Sequence, residues 1–310
     1  MRVGVLIRDD LTELNQAHGL GFTSIEWMRF DESEAARQQD WKGYAAQFAA
    51  EAKARGIRIS AIGALYRNPL DPRQSDFARA TFQRAIEVAA HIGVKTVAGF
   101  PGAVIETERS ERGGHLICKP FEDYLPQLLA FWEPLARFAA GHGVRIAFEH
   151  CPQGAWHLPI MGYNMLDRPA MWERLFHETK CDNLGLEWDA SHLVCQFIDP
   201  VANVHRFGSR IFHVHAKDAY VNRPLLETYG PCHPGVIEHR FPGLGQTDWA
   251  QIIHALVRAG YSSDLNIEGW HDPVFRNHLP GAGHLAGQQL EEAGLLIAKR
   301  TLEQFAPQER

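Results

Sequence analysis

Short apolar runs of β type alternate with amphipathic helical stretches from one end of this 310-residue chain to the other. The strand candidates cover residues 3–7, 22–27, 57–65, 96–100, 144–150, 184–189, 211–215 and 264–268. Helical stretches separate them. Over residues 40–55, for example, Trp41, Tyr44, Ala45, Phe48 and Ala52 recur on one helix face. Gly56, Gly93 and Gly143 stand where a helix would be capped before the next strand. Strict alternation requires parallel strands joined by crossover helices. Eight such units in one chain of this length match a (β/α)8 TIM barrel of the α/β class. A doubly wound open sheet is the competitor, but no Gly-x-Gly-x-x-Gly follows the first strand. No linker-like change of composition divides the chain, so residues 1–310 read as one barrel domain.

Charge and cysteine usage narrow the partners. Thirty-seven acidic against thirty-one basic residues leave a formal charge of −6, and no Lys/Arg run exceeds two residues. A nucleic-acid surface is therefore not expected. The apolar runs are far shorter than a bilayer span, and MRVGVLIRDD lacks the apolar core of a signal peptide. Five cysteines at 118, 151, 181, 195 and 232 form no CxxC pair. A cytoplasmic protein without membrane partners is expected. Ten of the seventeen histidines fall between residues 192 and 284, which marks where chemistry would be sought.

Two connections are long, residues 101–120 after strand four and 219–240 after strand seven. Both leave the carboxyl ends of their strands, the face where barrel enzymes work. They suit a lid over a small polar ligand, or subunit packing.

Four strands end in polar residues that an apolar barrel core would not need. Strand five ends in IAFEHCP with Glu149, and strand six in LGLEWDASH with Asp189 and His192. Strand seven reads IFHVHAKDA, with His213, His215, Lys217 and Asp218; strand eight reads LNIEGWHDP, with Glu268, Trp270 and His271. Around a barrel mouth, Glu149, Asp189, His215 and Glu268 would converge. Three carboxylates that close repel unless a cation sits among them. Three carboxylates and one imidazole suit one divalent ion, Mn²⁺ or Mg²⁺ first, with Co²⁺ and Zn²⁺ also compatible. His213 shares the strand parity of His215 one layer deeper, where it could support a ligand carboxylate or contact substrate. His192 could touch a substrate hydroxyl or cap the helix that follows. Trp27, Tyr66, Phe100, Trp156 and Trp270 fall at or just past strand ends, as a sugar-stacking wall or as ordinary packing. Cys151 reads as a buried small residue, with no motif to activate it.

At these residues the sequence resembles the xylose-isomerase-like sugar phosphate isomerase/epimerase superfamily. That superfamily includes ketose 3-epimerases, hydroxypyruvate isomerase, inosose dehydratases and, more distantly, endonuclease IV. The resemblance is carried by the Glu of IAFEHCP, Asp-x-x-His in WDASH, His-x-Lys-Asp in HAKD, RFPGLG with the following Asp-Trp, and the Glu of NIEGW. It implies one metal ion held by Glu149, Asp189, His215 and Glu268, and substrate contacts from His192 and Arg240. Glu26 at the end of strand two, His213 and Trp270 are further candidates for the pocket. It also implies that Glu149 and Glu268 act as acid/base groups on opposite faces of a sugar or polyol. A proton would leave the carbon beside a carbonyl through a metal-stabilised enediolate. Arg240 would supply a fixed positive charge. An isomerase or epimerase leads, and a lyase acting on a keto-sugar or inosose is the alternative. A non-catalytic sugar-binding barrel is the reading from another class. The two-metal ligand set of xylose isomerase itself is not evident, nor are the earlier strand-end histidines of endonuclease IV, so hydride shift and DNA cleavage are not expected. A homo-oligomer, dimer or tetramer, is implied.

Overall fold

The computed structural model describes residues 1–103, 108–109, 116–117, 121–152, 164–231, 233–269, 272–276 and 289–307. Eight strands run β1 (Val3–Ile7), β2 (Ser24–Trp27), β3 (Arg58–Leu65), β4 (Thr96–Gly99), β5 (Arg145–Glu149), β6 (Leu184–Asp189), β7 (Ile211–Ala216) and β8 (Leu265–Ile267). All pair in parallel, and β1 closes on β8 to complete the barrel. Every strand read from the sequence is present. Helices return the chain over the outside, and their starts follow local chemistry. The side chains of Asp10, Asp40, Asp199 and Asp248 accept hydrogen bonds from first-turn N–H groups. Where Gly56, Gly93 and Gly143 end helices, φ is 70°, 82° and 67°, a region that glycine enters without a Cβ penalty.

Two different cores result. Between strands and helices the packing is apolar. Trp132 is fully buried, with its ring 4.8 Å from Phe82, 5.0 Å from Phe131 and 4.7 Å from Phe148. Its indole N–H donates to the Pro101 carbonyl at 2.7 Å. Trp27 belongs to this layer too, packed against Phe30 and Phe48 rather than facing the mouth.

Inside the barrel a hydrogen-bonded column replaces the branched apolar layers usual in this fold. At its amino-terminal end Arg58 pairs with Asp264, which also accepts from Ser24 Oγ at 2.7 Å. Asn266 Nδ2 donates to Ser60 Oγ at 2.8 Å, and Ser60 Oγ meets His213 Nε2 at 3.2 Å. His213 Nδ1 lies 2.9 Å from Glu187 Oε1. Gly4 admits the close approach this needs, since a Cβ there would stand 2.4 Å from the Ser24 carbonyl oxygen and 2.8 Å from Asn266 Oδ1.

The connection after β7 is not an open loop. Asp218–Val221 pairs antiparallel with Ile237–Arg240, and the helix Arg223–Tyr229 lies between them. Asp218 secures the turn that follows by accepting from the backbone N–H groups of Ala219, Gly243 and Thr247. After β4, the described residues show the short antiparallel pair Glu108–Arg109 and Leu116–Ile117. No helix among the described residues is long and apolar enough to cross a membrane.

Candidate active site

β5, β7 and β8 deliver Glu149, His215 and Glu268 to the carboxyl-terminal mouth, where one donor atom from each lies within 4.8 Å of the others. All three line a cavity of about 960 Å³, together with Tyr66, Met28 and Phe241. That volume is at the upper end of the range for small-molecule sites.

His215 is held from below. Its Nε2 lies 2.7 Å from Glu26 Oε2 and 3.2 Å from Glu187 Oε1. Its Nδ1 has no hydrogen-bond partner, although Glu268 Oε2 is 3.4 Å away. Burial alone would lower the His215 pKa, but the Glu187 and Glu26 carboxylates outweigh it and raise the value well above the usual histidine range. Glu187 shows the reciprocal effect. Burial opposes its charge, yet His215 and His213 hold it ionised with a pKa down to about 2.

The two mouth glutamates differ. Burial, reinforced by the charge of Glu268, pushes Glu149 up to about 8. Glu268 is equally enclosed, but Lys217 and then His215 overcome the burial cost and hold it well below the usual carboxylate value. Lys217 Nζ is 2.8 Å from Glu268 Oε2 and 3.3 Å from Asp189 Oδ2, completely enclosed, with its own pKa raised by these carboxylates against the cost of burial.

Asp189 is not in the tight triplet. Its Oδ1 accepts from the Ser191 N–H at 2.7 Å and caps the helix Ala190–Val194. Its Oδ2 points toward Lys217 without a hydrogen bond. Asp189 is therefore joined to Glu268 through one ammonium group. Two buried orphaned atoms, His215 Nδ1 and Asp189 Oδ2, border the carboxylate pair, and this donor set fits a divalent cation.

Several expected contacts fall elsewhere. Glu26 is fully buried, accepts from Tyr66 Oη at 3.1 Å and meets His215 Nε2 at 2.7 Å. His213 has both ring nitrogens engaged by Ser60 and Glu187 inside the barrel. Arg240 ends the hairpin with Nε 3.0 Å from Asp272 Oδ2, and the backbone N–H of Phe241 donates to the same oxygen. His192 is buried, 3.3 Å from Asp189 Oδ2. Among the aromatic candidates Tyr66 lines the cavity and Phe100 is buried, whereas Trp270 and Trp156 lie outside the described residues. Sequence reading missed Glu187 altogether and gave Lys217 no role. Glu187 stands two residues before Asp189 and so shares its face of the strand, a signal that was present in LGLEWD.

Residues 14–295 match the family model of the xylose isomerase-like TIM barrel. The rhizopine catabolism protein MocC of Rhizobium meliloti is 34% identical over 143 residues, 45% of this chain and 41% of that protein. An inosose dehydratase of Lacticaseibacillus casei is 32% identical over 111 residues, 34% of this chain and 37% of that protein. The matched parts thus span about two fifths of these relatives' lengths. Among solved structures, D-psicose 3-epimerase with D-tagatose from Clostridium cellulolyticum H10 superposes with a TM-score of 0.67. It is 14% identical and covers 98% of this chain and 99% of that one.

Proposed function

Since this chain belongs to the xylose isomerase-like TIM-barrel family, we propose that it is a metal-dependent isomerase or epimerase of a small sugar or cyclitol. It would act by proton transfer at the carbon beside a carbonyl. The observation that carries this reading is the pair of mouth carboxylates, Glu149 and Glu268, gathered with His215 within 4.8 Å, where burial raises the pKa of one and Lys217 lowers that of the other. Environments that push two neighbouring carboxyl groups apart are how one site supplies an acid and a base at the same pH.

Glu149, His215 and Glu268 would hold the ion, with Asp189 as the further carboxylate that the family resemblance implies. Hard carboxylate donors with one imidazole favour Mn²⁺ or Mg²⁺ in the cell. A bound divalent ion supplies positive charge against substrate oxygens as the adjacent carbon loses its proton. Glu268, kept ionised by Lys217, would take that proton, and Glu149, after taking up a proton from solvent, would return one on the other face. Lys217 stays charged and bridges Glu268 and Asp189. Glu26 and Glu187 fix the His215 ring, so that its Nδ1 faces the mouth. Arg240, anchored by Asp272 and 3.9 Å from Glu238, would lend fixed positive charge to a substrate oxygen. The free cysteines 151, 181 and 195 and the absence of CxxC pairs support a cytoplasmic setting, and family resemblance supports a homo-oligomer.

Similarity to an inosose dehydratase favours one second reading, elimination of a β-hydroxyl by the same base from an inosose or keto-sugar. Incubating metal-loaded protein with ketoses, keto-glycosides and inososes in D₂O separates the two. Deuterium at the carbon beside the carbonyl in a product of unchanged formula identifies the isomerase, and loss of water identifies the lyase. Sugar binding without either reaction, undiminished in Glu149→Gln and Glu268→Gln, would replace both with a binding protein.

A further inference from the structure

Cys151 stands two residues past Glu149, where the chain leaves β5 for the mouth. Its Sγ, a Glu149 carboxylate oxygen and a His192 ring nitrogen lie within 4.8 Å of one another. This is a second set of donors beside Glu149–His215–Glu268, and Glu149 is common to both. His192 gives the independent sign that something belongs there. It is 1% exposed, and neither of its ring nitrogens makes a hydrogen bond. Its Nε2 lies 3.3 Å from Asp189 Oδ2 without a hydrogen bond, and a buried imidazole left in that state is costly to keep and calls for a further partner. His192 comes from the helix that Asp189 caps, and Cys151 from the end of β5, so the two approach Glu149 from neighbouring strands.

We propose that Glu149, Cys151 and His192 form a second divalent-cation site, bridged to the first through the Glu149 carboxylate. The proposal uses the metal reading of the neighbouring triplet only to locate the shared carboxylate. Sulfur, nitrogen and a single carboxylate are the donors of Zn²⁺ or Co²⁺, whereas Mg²⁺ prefers oxygen alone. On binding, the Cys151 S–H bond breaks, a sulfur–metal bond forms, and the proton passes to solvent. Lys217 opposes a cation at the site, but its contacts with Asp189 and Glu268 place it among carboxylates that already offset it. The pair of cations would grip two substrate oxygens at once and fix Glu149 between them. This chain would then differ from a single-metal barrel by one thiol.

The test loads the intact protein with Co²⁺ and, separately, with Zn²⁺. It counts metal per chain and records the near-ultraviolet charge-transfer absorption that a cobalt–thiolate bond produces. About two ions per chain with that band are expected. Cys151→Ser should lose the band and one ion while keeping the other, and His192→Gln should weaken the band. Circular dichroism and thermal melting confirm that each variant is folded. About one ion per chain without the band, or a second ion that survives Cys151→Ser, overturns the proposal. His215→Ala tests the first site alone. A variant that keeps its full metal content there, while Cys151→Ser still removes the band, refutes the first site and leaves the second standing.

Discussion

The layer between strands and helices is held by rings such as Trp132, Phe82 and Phe148, which pack against each other without needing a particular partner. The inner faces of the barrel strands carry polar residues placed by hydrogen bonds: Ser24 donates to Asp264, and Asn266, Ser60, His213 and Glu187 form a chain in that order. Apolar burial is non-directional and scales with area, so the outer layer tolerates repacking as long as volume is kept. A buried polar chain is directional, and deleting one member strands the partner's donor or acceptor. The two regions therefore do different jobs. The outer layer supplies stability, and the inner column fixes His215 and through it the mouth.

The sharpest break of that division is Glu268→Gln, which should lower turnover by roughly 10²- to 10⁴-fold while the melting temperature changes little. Kinetics on whichever sugar proves active, beside a thermal melt, would show it. A variant that unfolds with its activity loss would mean the mouth also carries the fold. In the outer layer Trp132→Ala should cost about 3–5 kcal/mol in urea unfolding, yet leave metal bound per folded chain unchanged. Metal lost in proportion to the remaining folded protein's instability would erase the distinction between the layers.

Glu187→Gln probes the column where it meets the site. Metal affinity should fall about 10- to 100-fold, since His215 loses one of the two carboxylates that orient it. Calorimetric titration reads this directly, and an unchanged affinity would assign the orienting role to Glu26 alone. The protonation of Glu149 gives a pH signature. With its pKa pushed up to about 8, the group carries a proton below that pH which must leave before an ion binds. Affinity should thus fall as pH drops through 8 toward 6, approaching about tenfold per unit, with proton release visible in weakly buffered titrations. His215, whose pKa is also raised, adds to the fall, so the same titration on Glu149→Gln isolates the Glu149 part, and a profile unchanged in that variant would show that Glu149 is not a ligand. The smallest effect expected is for Ser60→Ala, about 1 kcal/mol of stability with wild-type metal binding, because Ser60 touches His213 rather than His215.

Much of this was legible in the chain before any coordinates. Hydrophobic alternation at two periods located all eight strands, because a parallel strand buried on both sides and a helix buried on one leave different patterns. Glycines marked helix ends, since a cap acts through backbone groups only a few residues away. Strand-end polarity pointed to Glu149, His215 and Glu268. What was not legible depends on neighbours far apart in sequence. Glu26 and His213 were read as candidates for the pocket, yet one supports His215 from β2 and the other is locked between Ser60 and Glu187. Lys217 looked like one more strand-end charge until its ammonium was found between Asp189 and Glu268. The segment after β7 reads as a loop because a hairpin with an inserted helix has no single period, and its order comes from backbone donors converging on Asp218.

The sequence by itself determined the number of units, their parallel order and the residue types at the mouth, because periodicity, capping and strand parity are local properties of a chain. The tertiary structure alone decided which carboxylate supports, which one is held ionised and which keeps its proton. Those outcomes depend on distances across the barrel, Glu26 to His215 and Lys217 to Glu268 among them, which exist only once β8 has closed on β1.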